Sequence, residues 1–516
     1  MFRLTNPRRI GALVLSVVLL AAFGLALYRY FFPVPARVKL PAELPIAPSD
    51  SVLVIAPHSD DETLGAGGLI ERAVAEGARV HVVLMTNGDG FTLAAGEEYR
   101  KLRPAPEDYM RLAYQRQKES LAALAVLGVP ARDVTFLGYP DRGLAPMWST
   151  YWSPEHRFFS RFTQTDHSPY INSLTPGAPY SGQAVVEDLE RVLVDDKPTI
   201  LVFPHPNDMH PDHWATNAFT GYTLQELKDE GYPFAAQVRQ YLYLVHRGDW
   251  PAPKGLHLAT ELVPPGPLLR TDTSWFRFEL DPKGTWAKYQ AILKYDSQIR
   301  LMRRYLESFA RKNDLFGTLP PKEIVQISPG SLQVGGTADQ WQALAPLVSD
   351  PTADTVTREL EGSTDLRTLK AATDGTTLFL RLEARRPVSP RVLYTIRFRP
   401  MHEEPLPPAV TSGPGNTVPL RTSRGSDMEL RLRVGSPPVF TGVPANRSAD
   451  VATAVSGGAL EVAVPLADLD YPRDLFISAE SYLLVTVDRL AWTLAPLPAS
   501  AWRAPQPSLP TKGGRP

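Results

Sequence analysis

Residues 52–68, VLVIAPHSDDETLGAGG, constrain this chain more than any other stretch, because an apolar run ends abruptly in one histidine and three consecutive acids. The apolar residues 52–56 read as a short buried strand, and Leu64, Leu69, Ile70 and Val74 read as the start of a helix. His58, Asp60, Asp61 and Glu62 therefore sit on a strand-to-helix turn. In open α/β sheets the ligand crevice lies outside the carboxyl ends of the strands. So much negative charge in one place asks for a cation, and zinc suits a mixed imidazole and carboxylate set, with three protein ligands and an open position for water in its catalytic sites.

A second turn of the same kind follows about 150 residues later, where residues 199–203 (TILVF) run into His205, Asp208, His210, Asp212 and His213. Two strand ends loaded with histidine and aspartate are hard to explain by packing. The pair HSDDE at 58–62 and HPDH at 210–213 resembles the PIG-L/LmbE-like family of zinc-dependent N-acetyl-sugar deacetylases, over roughly residues 50–312. The family usually has proline where this chain has Ser59, which bears on loop rigidity more than on chemistry. The resemblance implies a zinc ion held by His58, Asp61 and His213, with Asp60 as general base. It implies His210 as the stabiliser of the tetrahedral oxyanion, adding charge there if cationic, and Asp212 as a partner orienting a neighbouring histidine. Asp141, in the loop GYPDRG, matches an aspartate that lines the family's substrate cleft, a plain turn being the alternative. His205 and Asp208 stay outside the expected ligand set, and Glu62 does no more than favour the helix dipole. Arg116 and Glu119 match positions of the family pattern, but their spacing alone predicts a surface ion pair.

Further strands at 79–86, 133–137 and 240–245 alternate with helices at 107–127 and 184–194. That alternation predicts a doubly wound, Rossmann-like α/β domain with a mostly parallel sheet of order 3-2-1-4-5, in which the two motif-bearing strands are neighbours across the switch point. Between Trp148 and Gly182 lies an insertion rich in aromatic residues, either a cleft wall that stacks on sugar rings or a lid packed on its own small core. Residues 286–312 read as one long helix whose charges form a solvated side. Gly65, Gly67 and Gly68 hint at a dinucleotide fingerprint, but the match is incomplete and the acids before them would repel phosphate, so no nucleotide cofactor is expected.

With 516 residues the chain exceeds one core. Its 54 basic and 55 acidic residues balance, which argues against a nucleic-acid partner, and the absence of cysteine excludes disulfides and thiolate metal sites. Residues 10–28 are uncharged and mostly apolar, long enough for a membrane-crossing helix, with Arg3, Arg8 and Arg9 before them and Arg29, Arg37 and Lys39 after. This predicts a single-pass anchor with the catalytic part on the extracytoplasmic side, a cleaved signal peptide being the alternative. From about residue 330, short alternating runs at 378–382, 392–398, 428–434, 460–464 and 482–487 predict an antiparallel β-sandwich. It faintly resembles family-9-type carbohydrate-binding modules, and a purely structural sandwich is the alternative. The expected plan is an anchor at 1–32, a proline-rich spacer at 33–49, the deacetylase-like domain at 50–329 with its insertion near 146–182, the sandwich at 330–500 and a disordered tail at 501–516. The expected function is membrane-anchored, zinc-dependent removal of acetyl from an N-acetylglucosamine-type sugar in a glycan or glycolipid. A non-catalytic, metal-containing glycan-binding protein is the alternative, although such a binder needs neither Asp60 nor His210.

Overall fold

The computed structural model describes residues 39–42, 45–352, 362–402, 427–443 and 450–502. The expected anchor and nearly all of the expected tail lie outside these residues; among the described residues no helix is long and apolar enough to cross a membrane.

The first sheet has seven strands: β1 (Ser51–Ala56), β2 (Arg79–Thr86), β3 (Val134–Tyr139), β4 (Ile200–Pro204), β5 (Arg239–Tyr243), β6 (Ser274–Glu279) and β7 (Asn313–Thr318), in the order β3-β2-β1-β4-β5-β7-β6. The first five are parallel and follow the expected 3-2-1-4-5, while β7 and β6 extend the edge antiparallel. β1 and β4 are apolar almost throughout because helices cover both sheet faces. Their register sets Val54 beside Val202, so both motif loops leave the sheet at the same edge.

The glycines after the first motif serve packing. A Cβ at Gly65 would lie 2.3 Å from the Tyr243 ring, and one at Gly68 would lie 2.3 Å from Leu280. The helix Asp61–Ala75 is thereby drawn down onto β5, and the Tyr243 hydroxyl donates to the Ile55 carbonyl at 3.1 Å.

One expectation about this domain is corrected, and for the insertion the structure favours packing over a sugar-stacking wall. Residues 286–312 form parts of two helices, Pro282–Ile292 and Asp296–Glu307, and the break between them turns the buried Tyr295 inward to reach Thr63 and Glu62. The charges there are not all solvated: Lys288 is fully buried, with Nζ 2.6 Å from Asp314 and 2.8 Å from the Leu64 carbonyl. In the insertion, Trp148, Trp152, Tyr170 and Tyr180 are buried, and Trp148 packs edge-on against Trp152, Phe219 and Tyr222. These rings build core, so they are not free to stack on sugar.

The remaining strands form two facing sheets. One contains β8 (Val325–Gln326), β9 (Val348–Ser349), β10 (Leu366–Thr373), β11 (Thr377–Ala384), β15 (Ala452–Ser456) and β16 (Ala459–Pro465). The other contains β12 (Leu393–Met401), β13 (Met428–Leu432), β14 (Val439–Thr441), β17 (Asp474–Tyr482), β18 (Thr486–Arg489) and β19 (Thr493–Pro496). All pairings are antiparallel except β8 with β10. Alternate residues such as Leu380, Leu382, Ile396, Phe398 and Ile477 fill one shared core. Met401, Phe476 and Trp492 instead join the core of the first domain. At that seam the Arg399 guanidinium stacks 3.5 Å from the Trp152 ring centroid and donates to the Trp148 carbonyl.

Candidate metal centre and active site

The loop after β1 places His58, Asp60 and Asp61 at the N-terminal end of the helix Asp61–Ala75, and the loop after β4 places His210 and His213 at the start of the helix Pro211–Asp229. The two loops meet at one oxygen. Asp61 Oδ2 lies 3.0 Å from His58 Nδ1 and 3.0 Å from His213 Nε2. A ring nitrogen from each of His58, His210 and His213 also falls within 4.8 Å of the others.

The carboxylates around this point are buried: Asp60, Asp61, Glu62, Asp89, Asp141, Asp208 and Asp212 are all under a tenth exposed. The Arg116 guanidinium reaches in among them, 3.7 Å from Asp60 and donating to the carbonyls of Ser59 at 2.6 Å and Gly88 at 3.0 Å. Arg116 is therefore no surface residue, and Glu119 accepts from the backbone and hydroxyl of Ser297 instead of pairing with it. Glu62 does more than favour a dipole. It accepts from the Tyr295 hydroxyl at 2.5 Å and from the Asp60 amide at 3.1 Å. That amide bond helps to hold Asp60 at φ 119°, a left-handed conformation that costs energy in a residue other than glycine.

Burial would lower the His58 pKa, but the carboxylates of Asp141, Asp212 and Asp61 hold it well above the ordinary histidine value. Asp212 Oδ2 lies 3.2 Å from His58 Nε2 and Asp141 Oδ1 lies 3.5 Å from it. Asp212 is itself fixed by the amides of Arg142 at 2.6 Å and Leu144 at 3.1 Å. Burial, and behind it the Asp61 and Glu62 carboxylates, raises Asp60 to about 8 against the pull of Arg116. For His210, burial and then the neighbouring His58 lower the pKa to about 4, so the ring is neutral near pH 7 and is not the cation the motif allowed for. Its Nδ1 accepts from the Asp212 amide at 3.2 Å, which leaves the proton on Nε2, free to donate.

Three residues outside the expected site, of which only Asp208 belongs to the second motif, complete the cluster. Asp208 faces His213 Nδ1 at 3.2 Å and is held by the amides of Val245, His246 and His210. Burial would lower the His213 pKa, but Asp208 and Asp61 on its two nitrogens raise it to about 9. His246, one residue beyond the expected fifth strand, stands with its ring 4.7 Å from that of His213. Asp89 receives the Asp141 amide at 2.9 Å and the Tyr170 hydroxyl at 2.6 Å. Only the neighbour relation of β4 and β5 could have pointed to His246. His205 lies apart, bonded to Thr273 and stacked on Trp275.

The donor set fits a divalent cation. His213 is fully buried, yet neither ring nitrogen makes an aligned hydrogen bond, although each faces a carboxylate at close range. That is the arrangement of a ligand whose Nε2 shares an ion with Asp61 while Asp208 orients it from behind. His58, Asp61, His210, His213 and His246 all fall within such His/Asp groupings, as do Asp141 and Asp212 with His58.

Fold and cluster together define a doubly wound domain with, at its switch point, a His/Asp cluster able to hold a metal ion. Residues 53–223 match the family described as PIG-L: GlcNAc-PI de-N-acetylase, and form a PIG-L domain. The chain is 33% identical over 175 residues to a 1D-myo-inositol 2-acetamido-2-deoxy-alpha-D-glucopyranoside deacetylase from Mycobacterium sp. (strain KMS), a match covering 33% of this chain and 48% of that protein. It thus spans about half the length of that relative. The protein of the same description from Rhodococcus erythropolis (strain PR4 / NBRC 100887) is 24% identical over 310 residues, covering 55% of this chain and 93% of its own. Among solved structures, the N,N'-diacetylchitobiose deacetylase of Pyrococcus horikoshii is 20% identical, covering 51% of this chain and 82% of its own with a TM-score of 0.32, too loose a likeness to carry weight.

Proposed function

We propose that this protein is a zinc-dependent deacetylase that hydrolyses the N-acetyl group of an N-acetylglucosamine-type sugar. The observation that carries the reading is the meeting of both strand-end loops at Asp61 Oδ2, with a second carboxyl on the adjoining residue, Asp60, 3.7 Å from Arg116. The relatives described as deacetylases of an acetamido sugar support the same chemistry. His58, Asp61 and His213 would hold the ion, which when bound supplies an acidified water and a polarised amide carbonyl.

The chain's own residues do the rest. Asp60, its pKa raised to about 8, in its deprotonated form takes a proton from the attacking water and returns it to the departing amine. Neutral His210 donates from Nε2 toward the oxygen on which charge develops. Asp208 and Asp212 orient His213 and His58, and the buried surroundings exclude bulk water. Anchoring by residues 10–28, with the catalytic domain outside the cytoplasm, stays part of the proposal on sequence grounds. Protease accessibility in intact cells checks it: a chain shielded from external protease would contradict that side.

Acetate release from N-acetylglucosamine conjugates tests the chemistry. Wild type is expected to turn over and to lose activity on chelation, recovering it with zinc. Asp60→Asn should lower kcat by roughly 10²–10⁴-fold while metal content is retained. Chelator-insensitive release, or an Asp60→Asn variant as active as wild type, would sink the mechanism. Metal binding and sugar binding without any turnover would favour the glycan-binding alternative.

A further inference from the structure

The sandwich does not hang from the catalytic domain as a tethered module. It is packed against the helix Pro211–Asp229 and the insertion, with Phe476 and Trp492 on Trp148 and Asp474 beside Gln225, and a cleft of about 680 Å³ opens between the two domains. Arg142, His210 and Trp214 line it from the catalytic side, and Arg397, Glu480 and Arg489 line it from β12, β17 and β18. His210 is half-buried and its ring stands 4.7 Å from that of His58, so one imidazole forms the partition between the metal cluster and this cleft. The volume lies in the range of sites that enclose a small ligand.

The charges are unevenly matched. Glu480 accepts from Arg489 Nε at 2.6 Å and lies 3.6 Å from Arg397 Nε, so one carboxylate serves two guanidinium groups in the lining. Arg397 has a second partner, Glu429 at 3.3 Å, which is outside the lining. Arg142 is exposed and enters no ion pair among the described residues, its backbone amide being committed to Asp212. The Arg489 guanidinium is spread over the Trp214 ring at 4.2 Å, which holds it in place without neutralising it. Three guanidinium groups against one carboxylate leave the lining with a surplus of positive charge in the form of planar forks, the geometry that binds phosphate or carboxylate oxygens in pairs.

We propose that the β-sandwich is the second wall of the substrate cleft, and that Arg142, Arg397 and Arg489 receive an anionic group, a phosphate ester or a uronic carboxylate, carried by the acetylated sugar. This rests on the deacetylase reading and extends it. Arg397 and Arg489 lie outside residues 53–223, so the preference belongs to this chain's own second domain rather than to the matched region.

The test compares kcat/KM of the full chain for three substrates at low salt: methyl N-acetylglucosaminide, N-acetylglucosamine 1-phosphate and N-acetylglucosaminyl glucuronic acid. Wild type should favour an anionic substrate by roughly tenfold, mostly through KM, and the larger of the two anionic values identifies the source of the charge. The ratio of anionic to neutral should collapse in Arg142→Gln/Arg397→Gln. It should rise in Glu480→Gln, which leaves Arg489 without its carboxylate and Arg397 with Glu429 alone, and unfolding midpoints report whether each variant is folded. A ratio near one in wild type, or one unmoved by both variants, overturns the proposal. Calorimetric titration of Asp60→Asn with the same compounds separates it from the catalytic reading. Tighter binding of the anionic compounds with no hydrolysis in wild type sustains the cleft and sinks the deacetylase, whereas equal hydrolysis of all three sinks the cleft alone.

Discussion

The two halves of this molecule bury charge in opposite ways. Inside the sandwich, away from the cleft, buried and half-buried charges are matched: Arg381 sits between Glu383 at 3.0 Å and Glu461 at 2.5 Å, and Arg385 meets Asp365 at 2.7 Å. At the edge of the parallel sheet, seven buried carboxyl groups crowd round four histidines and one guanidinium. Matched pairs are self-contained and need nothing further. Unmatched carboxylates raise one another's pKa, as at Glu62 and Asp89, both pushed up to about 7 by burial first and neighbouring acids next. Such an excess is costly unless a cation joins it. The contrast therefore marks where the chain keeps its chemistry and where it keeps its scaffold.

Removing one buried acid from each half sharpens this most. Asp61→Asn should abolish activity by at least ~10³-fold with little loss of fold, because it deletes a ligand from an overcharged cluster. Glu461→Gln should do the reverse, costing about 2 kcal/mol by leaving the buried Arg381 with Glu383 alone while leaving turnover of the folded fraction intact. Denaturant midpoints and acetate release measured side by side check both; a Glu461→Gln enzyme that is stable but inactive would break the contrast.

A smaller effect is expected at the one guanidinium within the acidic cluster. Arg116 holds the Asp60 pKa down, and a base works only when deprotonated, so activity rises as pH climbs through that pKa. Arg116→Met should therefore move the acid limb of the pH–rate profile up by about 1 unit, and Arg116→Lys should move it less. An unmoved limb would mean that another group governs it.

The smallest effect lies at the seam. Asp229 ends the helix Pro211–Asp229, and it meets Asp474 of β17, with Gln225 donating to both and Arg473 3.4 Å from Asp229. Burial, then Asp474, raises Asp229 to about 7, and Asp474 is raised as well. A raised acid binds its proton more tightly folded than unfolded, so this stability is complete below about pH 4 and is lost as pH rises through about 7. Partial exposure limits it to on the order of 1 kcal/mol. Asp474→Asn should flatten the dependence of the unfolding midpoint on pH across that window, and an unchanged slope would assign it elsewhere.

Much of this was legible in the sequence where signals were local. The runs VLVIA and TILVF, each ending in His and Asp, declared two adjacent strand ends and the order of the parallel sheet. What escaped depended on distance. Asp208 looked like a loop residue because its role rests on amides from beyond β5, and His246 carried no motif. Arg116 and Glu119 had helical ion-pair spacing, yet each is claimed by a different partner, Asp60 and Ser297, from elsewhere in the chain. The aromatic insertion could not announce that its rings would be used against Phe219 and Phe476, since composition does not say which neighbour a ring will meet.

The central claim is that loops from β1 and β4 share one divalent ion. Elemental analysis of purified wild type, His58→Ala and His213→Ala, each loaded with zinc and desalted, tests it most directly. The account predicts one zinc per wild-type chain and less than a tenth of that in either variant under the same washing. Full retention by His213→Ala, or a wild type that holds no metal at all, would contradict it.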